Sequence, residues 1–121
     1  PRRPVAERVR DFREIERATL IEASRAEPAV IALGGGTFVQ KSNLEFIREM
    51  GGTTVWLDCP IAELLRRCEG KYDRPLFRDP VSFAQLLEQR LPYYRLAEYR
   101  VSTEGRAPEE VVQQILRLKI L

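Results

Sequence analysis

The residues able to do chemistry in this 121-residue chain are arginines, carboxylates and glycines, because the sequence contains no histidine. Three glycines, Gly34, Gly35 and Gly36, directly follow the short apolar run of residues 29–33. Such a run is typical of a strand buried in a parallel sheet, and ligands bind beyond the carboxyl ends of such strands. Glycines there let backbone N–H groups approach a ligand closely. The triplet therefore indicates a ligand-binding loop or a flexible turn, and alone it does not separate the two.

Arg13 and Glu16 lie three residues apart, which places them on one face of a helix predicted to begin at Asp11. An arginine held by a neighbouring carboxylate makes a rigid receptor for the carboxylate of a substrate. The same spacing also suits a surface ion pair worth well under ~1 kcal/mol, and on spacing alone the surface pair is favoured.

Further arginines occupy segments that suit nucleotide chemistry. Arg74 lies in a polar lid loop predicted over about residues 70–82, and a closing loop of this kind excludes water and stabilises charge in phosphoryl transfer. Arg67 ends a predicted helix, where it can stack on an adenine face or simply favour the helix C-terminus. Arg106 precedes the last helix and Arg90 lies on the helix after the lid. Taken singly, each is more often solvated than functional.

The elements that must position these residues alternate between helices and strands. Helices are predicted from Asp11, from Ser42 to Gly51, from Pro60 to about Cys68, over residues 82–90 and from Pro108 onward. Strands are predicted over residues 29–33, 53–58 and 99–102. Strands separated by helices predict a parallel sheet in an α/β fold, here as a single domain over residues 1–121.

Composition excludes several classes of function. The net charge is +2 and there is no basic stripe, so neither charge nor motif indicates nucleic acid as a partner. No apolar run approaches the roughly 20 residues that span a membrane. Cys59 and Cys68 can in principle pair, but their surroundings suit reduced thiols in a cytoplasmic protein. Without histidine or a CxxC pair, the usual zinc sites and a histidine-dependent triad are excluded.

Five motifs in order resemble the shikimate kinase family, over about residue 11 to the C-terminus. The family's Phe-Arg-x-x-Glu, Leu-Gly-Gly-Gly, Arg-Pro-Leu, Arg-x-Pro-x-Tyr and Arg-x-Pro motifs correspond here to residues 12–16, 33–36, 74–76, 90–94 and 106–108. The resemblance implies a three-layer α/β/α fold of the P-loop nucleoside-monophosphate-kinase type.

The resemblance also implies roles for individual residues. Arg13 and Arg90 would clamp the shikimate carboxylate, with Glu16 supporting Arg13. Gly34, Gly35 and Gly36 would contact shikimate hydroxyls and approach the γ-phosphate. Arg74, on the lid, would bridge the phosphates as the catalytic arginine, and nucleotide would also be bound by Arg67, Arg106 and Pro108. The implied reaction transfers the γ-phosphoryl group of ATP to the 3-hydroxyl of shikimate in aromatic amino-acid biosynthesis, in a cytoplasmic monomer that uses Mg²⁺.

The chain departs from the family's pattern at the phosphate-binding loop. No segment matches G-x-x-x-x-G-K-[ST], so the phosphate cradle, its lysine and its Mg²⁺-binding hydroxyl are absent from these residues. The family's acidic pair after the second strand is absent as well. Because the P-loop strand is central in the family's sheet, we expect residues 29–33 and 53–58 not to pair with each other. We also expect the 121 residues alone to be incomplete and inactive.

Two other functions stay open. One is a non-catalytic fragment or remnant that binds a small carboxylate without phosphoryl transfer. The other is a related small-molecule P-loop kinase that shares the lid and the sheet but takes a different substrate, such as gluconate or a nucleotide.

Overall fold

A computed structural model describes residues 4–26, 28–67 and 79–121 of the chain. They belong to two compact units, Pro1–Gly51 (unit 1) and Gly52–Leu121 (unit 2), and each unit is described by itself. Arg74 and all but the last residues of the predicted lid loop lie outside the described residues. The prediction of one domain over residues 1–121 therefore stays a prediction.

Unit 1 consists of two helices joined by a loop that contains the glycine triplet. Helix α1 spans Val5–Ala23 and helix α2 spans Lys41–Glu49. Helix α1 begins at Val5 rather than at Asp11, because the carbonyl of Pro4, the N-cap residue, accepts the first helical hydrogen bond, from Arg8 N. Helix α2 likewise begins at Lys41, one residue before the predicted start at Ser42. The apolar core of this unit is small: Leu20, Leu44 and Ile47.

The predicted strand over residues 29–33 is not formed. These residues belong to no strand, and the side chain of Val30 is 84% exposed. A β-strand needs a hydrogen-bonded neighbour, and the described residues provide none for this segment. The prediction of a strand over residues 29–33 is therefore wrong: the apolar composition is typical of a buried strand, but composition without a pairing partner does not make a strand.

Unit 2 contains a two-stranded parallel sheet, β1 over Val55–Asp58 and β2 over Tyr99–Ser102. Val55 pairs with Tyr99 and Asp58 with Ser102. Helix α5, Pro108–Arg117, packs on β2, where Val101 and Val111 are buried. Within the described residues β1 pairs only with β2.

Two helices lie between these strands and pack against each other: α3, Ile61–Arg67, and α4, Pro80–Tyr94. Helix α4 extends beyond the predicted end at residue 90 and includes Pro92. Pro92 lacks the N–H that would bond to the carbonyl four residues earlier, but beyond it Arg95 N still bonds to the Leu91 carbonyl. No helix in the described part of the chain is long and apolar enough to cross a membrane.

The N-cap of α4 gives a pH-dependent prediction. Asp79 accepts hydrogen bonds from Val81 N at 3.0 Å and from the Ser82 hydroxyl at 2.7 Å. The Ser82 hydroxyl and amide hold the pKa of Asp79 below its ordinary value of 3.8. Because that pKa is depressed on folding, the stabilisation is present above the unfolded-state pKa and is lost as the pH falls through the folded-state pKa.

We therefore expect Asp79→Ala to lower the Tm at neutral pH, by an amount that shrinks as the pH falls below 3.8. Thermal unfolding of both proteins across this pH range measures the effect. A difference in Tm that is the same at neutral and acid pH would show that the carboxylate does not act as a cap.

Candidate functional site

The Arg13 guanidinium is held in place by three neighbours within unit 1. Its Nη1 donates to Glu16 Oε1 at 2.8 Å, and its Cζ lies 5.5 Å from the centre of the Phe12 ring. The Arg13 and Glu16 side chains are 28% and 15% exposed, so this is a partly buried pair rather than the fully solvated one that spacing alone favours. A part-buried, paired guanidinium that keeps some exposure is suited to bind an anion.

The third neighbour is the backbone of Gly36, which is itself buried. A Cβ at this position would lie 2.7 Å from Arg13 Nη1 and 2.9 Å from Arg13 Cζ, distances that real Cβ atoms essentially never show. Gly34 is less crowded, because a Cβ there would meet Thr37 Oγ1 at 3.4 Å and Glu16 Oε2 at 3.9 Å. The glycine loop and the Arg13–Glu16 pair therefore form one site, and it is Gly36 that permits the close approach.

Three polar residues after the triplet fix the shape of this loop. Thr37 N donates to the Gly34 carbonyl at 3.0 Å, which closes a turn over the glycines. Gln40 Nε2 donates to the Gly36 carbonyl at 3.2 Å. Asn43 is 1% exposed, and its Nδ2 donates to the Thr37 carbonyl at 3.0 Å. The side-chain amides of Gln40, the N-cap residue of helix α2, and Asn43, on that helix, thus fix the position of the glycine loop.

We expect Asn43→Ala to destabilise the protein by about 0.5–1.5 kcal/mol, because it removes a buried hydrogen bond to the Thr37 carbonyl and leaves that carbonyl with Gln40 N, at 3.3 Å, as its donor. Equilibrium unfolding in urea measures the change in the free energy of unfolding. Ser42→Ala, at the neighbouring half-buried position, serves as the control. A loss below about 0.5 kcal/mol for Asn43→Ala, the range of ordinary surface substitutions, would contradict the anchoring role.

In unit 2, two of the arginines predicted to bind nucleotide, one on α3 and one in the turn after β2, donate to the same backbone carbonyl. Arg67 Nη2 donates to Glu63 Oε1 at 2.6 Å and to the Thr103 carbonyl at 3.0 Å. Arg106 N donates to the Thr103 carbonyl at 3.1 Å, and its Nη1 donates to the Ser102 carbonyl at 3.0 Å. Pro108 follows as the first residue of α5. The unit therefore brings Arg67, Arg106 and Pro108 to the turn that follows β2.

Arg90 lies on α4 and is half-buried. Among the described residues, no ion pair or hydrogen bond involves its guanidinium, which leaves it available for an anionic ligand. Arg13 and Arg90 belong to different units, so their predicted joint action on one carboxylate stays a prediction. The same holds for Arg74, which lies outside the described residues.

Asp58, the last residue of strand β1, forms an ion pair with Arg100. Its Oδ2 accepts from Arg100 Nε at 2.6 Å, and the guanidinium lies 5.8 Å from the centre of the Trp56 ring. In the described part of the chain no three His, Cys, Asp or Glu residues are grouped so that they could hold a metal ion. The described residues by themselves therefore do not fit Mg²⁺ binding.

Comparison with known proteins decides the family. A family model described as shikimate kinase matches residues 6–119. The chain belongs to the shikimate kinase family. The curated shikimate kinase of Caldanaerobacter subterraneus subsp. tengcongensis is 37% identical over 112 residues, which cover 90% of this chain and 65% of that protein. The shikimate kinase of Persephonella marina is 33% identical over 106 residues, covering 87% and 64%.

Solved structures of shikimate kinases agree with this family. The crystal structure of the shikimate kinase from Bacteroides thetaiotaomicron superposes with a TM-score of 0.77 at 33% identity and covers 91% of this chain and 68% of its own. The one from Aquifex aeolicus gives 0.71 at 33% identity, covering 89% and 61%. The predicted α/β fold of this class is thereby confirmed. The chain spans somewhat less than two thirds of the length of the curated shikimate kinases above.

Sequence reasoning did not find the residues that orient the candidate site without forming its ligand-facing surface. Asn43 and Gln40 were not singled out, although polar residues spaced three apart directly after the glycines are a usable signal for loop anchoring. Glu63 was also missed. Its position four residues before Arg67 on a predicted helix favours an ion pair, and that pair is present.

Proposed function

We propose that this chain is part of an enzyme that transfers the γ-phosphoryl group of ATP to the 3-hydroxyl of shikimate, giving shikimate 3-phosphate and ADP. The bond between the 3-oxygen and the γ-phosphorus forms as the bond to the β,γ-bridging oxygen breaks, and the hydroxyl proton is released. The observation that carries the proposal is the Arg13–Glu16 pair seated on Gly36, within a chain of the shikimate kinase family.

Each proposed role follows from the chemistry of the residue. Arg13 binds the shikimate carboxylate through guanidinium nitrogens oriented by Glu16. Gly34, Gly35 and Gly36 present backbone to the substrate hydroxyls and to the transferred phosphoryl group, since no side chain blocks the approach. For Arg90 as second carboxylate ligand, and for Arg74 as the arginine that neutralises phosphate charge at closure of the predicted lid, the proposal rests on the family motifs alone.

On the nucleotide side, we propose that adenine lies between the Arg67 guanidinium and the Arg106–Pro108 segment. Arg67 donates its hydrogen bonds to Glu63 Oε1 and to the Thr103 carbonyl from Nη2, and because the N–H groups of a guanidinium lie in its plane, such bonds leave its faces for stacking. The Arg67 side chain is 41% exposed, which suits a base-stacking surface better than a buried ion pair. Together these features support a nucleotide role for unit 2.

The phosphate cradle is the part of the reaction that these 121 residues do not supply. They contain no G-x-x-x-x-G-K-[ST] motif, and we propose that on their own they bind shikimate without transferring phosphoryl. We further propose that the intact enzyme acts as a monomer in the cytoplasm and uses Mg²⁺ with ATP, as the family resemblance implies.

A coupled assay of ADP release tests the proposal on the intact protein with shikimate, gluconate and a nucleoside monophosphate as acceptors. Phosphoryl transfer to shikimate alone supports the proposal. Transfer to one of the other acceptors instead would identify a related small-molecule kinase. Binding of shikimate without ADP release from any acceptor would identify a non-catalytic carboxylate-binding protein.

A further inference from the structure

A buried carboxylate joins the two segments of unit 2 that carry the proposed nucleotide residues. Glu63, on α3, is 7% exposed. Its Oε1 accepts from Arg67 Nη2 at 2.6 Å and from Gly105 N at 3.2 Å. One oxygen therefore binds both its own helix and a turn that lies 42 residues later in the sequence.

The turn bound by Glu63 is itself fixed to the end of β1. Thr103 is buried, its amide donates to the Asp58 carbonyl at 2.8 Å, and its own carbonyl accepts from Arg67 Nη2 at 3.0 Å. Gly105 has a φ of +64°, a conformation that favours glycine, and so turns its amide toward the carboxylate at little steric cost. Arg67 is thus oriented by two acceptors, one on α3 and one on the turn.

The carboxylate remains charged in this environment. Burial acts to raise the pKa of Glu63, but the Gly105 amide, the Arg67 guanidinium and the Cys59 thiol together bring it below its ordinary value of 4.5. Its second oxygen, Oε2, is buried and has no partner of good hydrogen-bond geometry among the described residues, and the thiol is only a weak donor. An ionised group kept out of water in this way acts mainly through the donors on Oε1.

An ion pair such as Glu63–Arg67 can simply stabilise its helix. A role in the nucleotide site therefore depends on which other residues Glu63 connects. Glu63 binds Arg67 on its own helix and also Gly105 N, in the turn that leads directly into Arg106 and Pro108. Arg106 N also donates to the Thr103 carbonyl that holds Arg67. A change at Glu63 therefore alters the position of all three proposed nucleotide residues together.

We infer that Glu63 is a positioning residue of the nucleotide site, holding the Arg67 guanidinium and the turn of residues 103–107 at the separation that a purine base requires. This inference rests on the proposed function, because it takes Arg67 and the Arg106–Pro108 segment as the two sides of the adenine site. Glu63 does not touch the nucleotide, and it acts only through Arg67 and Gly105.

Calorimetric titration of the intact protein with ADP tests the inference, together with the KM values for ATP and shikimate. We expect Glu63→Ala to weaken ADP binding and raise the KM for ATP by about tenfold to 100-fold, since a small misplacement of a binding group has effects of this size. The KM for shikimate should change by less than about twofold. Glu63→Gln keeps an acceptor oxygen at Oε1 without the charge, so it should restore much of the affinity for ADP.

Glu88→Ala, which removes an exposed carboxylate from α4, is the matched control for loss of one negative charge and should leave ADP binding unchanged. If Glu63→Ala lowers the Tm but leaves the Kd for ADP within about twofold of wild type, Glu63 is structural only and the inference is wrong. It is equally wrong if the KM values for ATP and shikimate rise together. Should Glu63→Ala not fold, Glu63→Met takes its place, because methionine keeps the length of the side chain but has no carboxylate to accept from Arg67 and Gly105. A Kd for ADP and a KM for ATP within about twofold of wild type in Glu63→Met would overturn the inference.

The outcome for Glu63 is separable from the outcome for the proposed function. If wild-type protein binds ADP in a Glu63-dependent manner yet does not phosphorylate shikimate, the proposed reaction fails while the positioning role stands. If wild-type protein phosphorylates shikimate with a KM for ATP that does not depend on Glu63, only the positioning role fails.

Discussion

Replacing Gly36 with alanine should lower kcat/KM for shikimate by about 100-fold in the intact protein, with little change in the KM for ATP. The added Cβ would lie 2.7 Å from Arg13 Nη1 and 2.9 Å from Arg13 Cζ, so the guanidinium must leave its observed position. Because Gly36 is buried, the loop has little freedom to move away instead. Initial rates at varied shikimate, with ATP saturating, measure the loss.

Two comparisons isolate the cause of that loss. Gly34→Ala introduces a Cβ at the ordinary contact distance of 3.4 Å from Thr37 Oγ1, so its effect should be clearly smaller. If Gly36→Ala acts by displacing Arg13, it should cost little further activity in a protein that already carries Arg13→Ala, because substitutions that disturb one interaction are not additive. Equal losses of kcat/KM for Gly34→Ala and Gly36→Ala would contradict this explanation. They would show that activity depends on the backbone flexibility of the triplet and not on the space that Gly36 leaves for Arg13.

Arg13→Ala should raise the KM for shikimate by about 100-fold and leave the KM for ATP nearly unchanged. Removing one partner of a desolvated, hydrogen-bonded charge pair typically costs 2–5 kcal/mol, and about 1.4 kcal/mol corresponds to a factor of ten. Arg13→Lys should fall between wild type and alanine, because lysine keeps the charge but loses the planar fork. Steady-state kinetics with each substrate varied in turn provide the measurement.

Arg25→Ala is a matched control for this experiment. Arg25 also pairs with a carboxylate three residues away, Glu22, at 2.9 Å, but the two side chains are 72% and 73% exposed. Its removal should leave both KM values unchanged, since a solvated pair of this kind contributes little. A rise in the KM for ATP as large as that for shikimate in Arg13→Ala would contradict the role assigned to Arg13.

Local patterns in the sequence were sufficient to predict much of this chain. The spacing of Arg13 and Glu16 predicted an ion pair that is present, and strand β2 lies where residues 99–102 were predicted to form it. These features depend on neighbours within a few residues, so the sequence determines them nearly alone. The ordered motifs identified the family, which the comparisons confirm.

Features that depend on distant partners were not predictable in the same way. Residues 29–33 have the composition of a buried strand, but strand formation requires a second strand whose presence local composition does not reveal. The contact between Glu63 and Gly105 joins positions 42 residues apart, and no sequence pattern within either segment predicts it. The burial of Asn43 behind the glycine loop likewise follows from packing in three dimensions, which its place in α2 does not indicate.

The most direct test of the account is the difference in affinity between shikimate and its methyl ester, measured by calorimetric titration of wild-type and Arg13→Ala protein. The ester keeps the ring hydroxyls but lacks the carboxylate charge that Arg13 is proposed to bind. The account predicts that wild-type protein binds shikimate at least about tenfold more tightly than the ester, and that this preference is clearly smaller in Arg13→Ala, which keeps only Arg90 as a proposed ligand of the carboxylate. A preference for shikimate that persists undiminished in Arg13→Ala would contradict the central claim, because the carboxylate would then be recognised elsewhere.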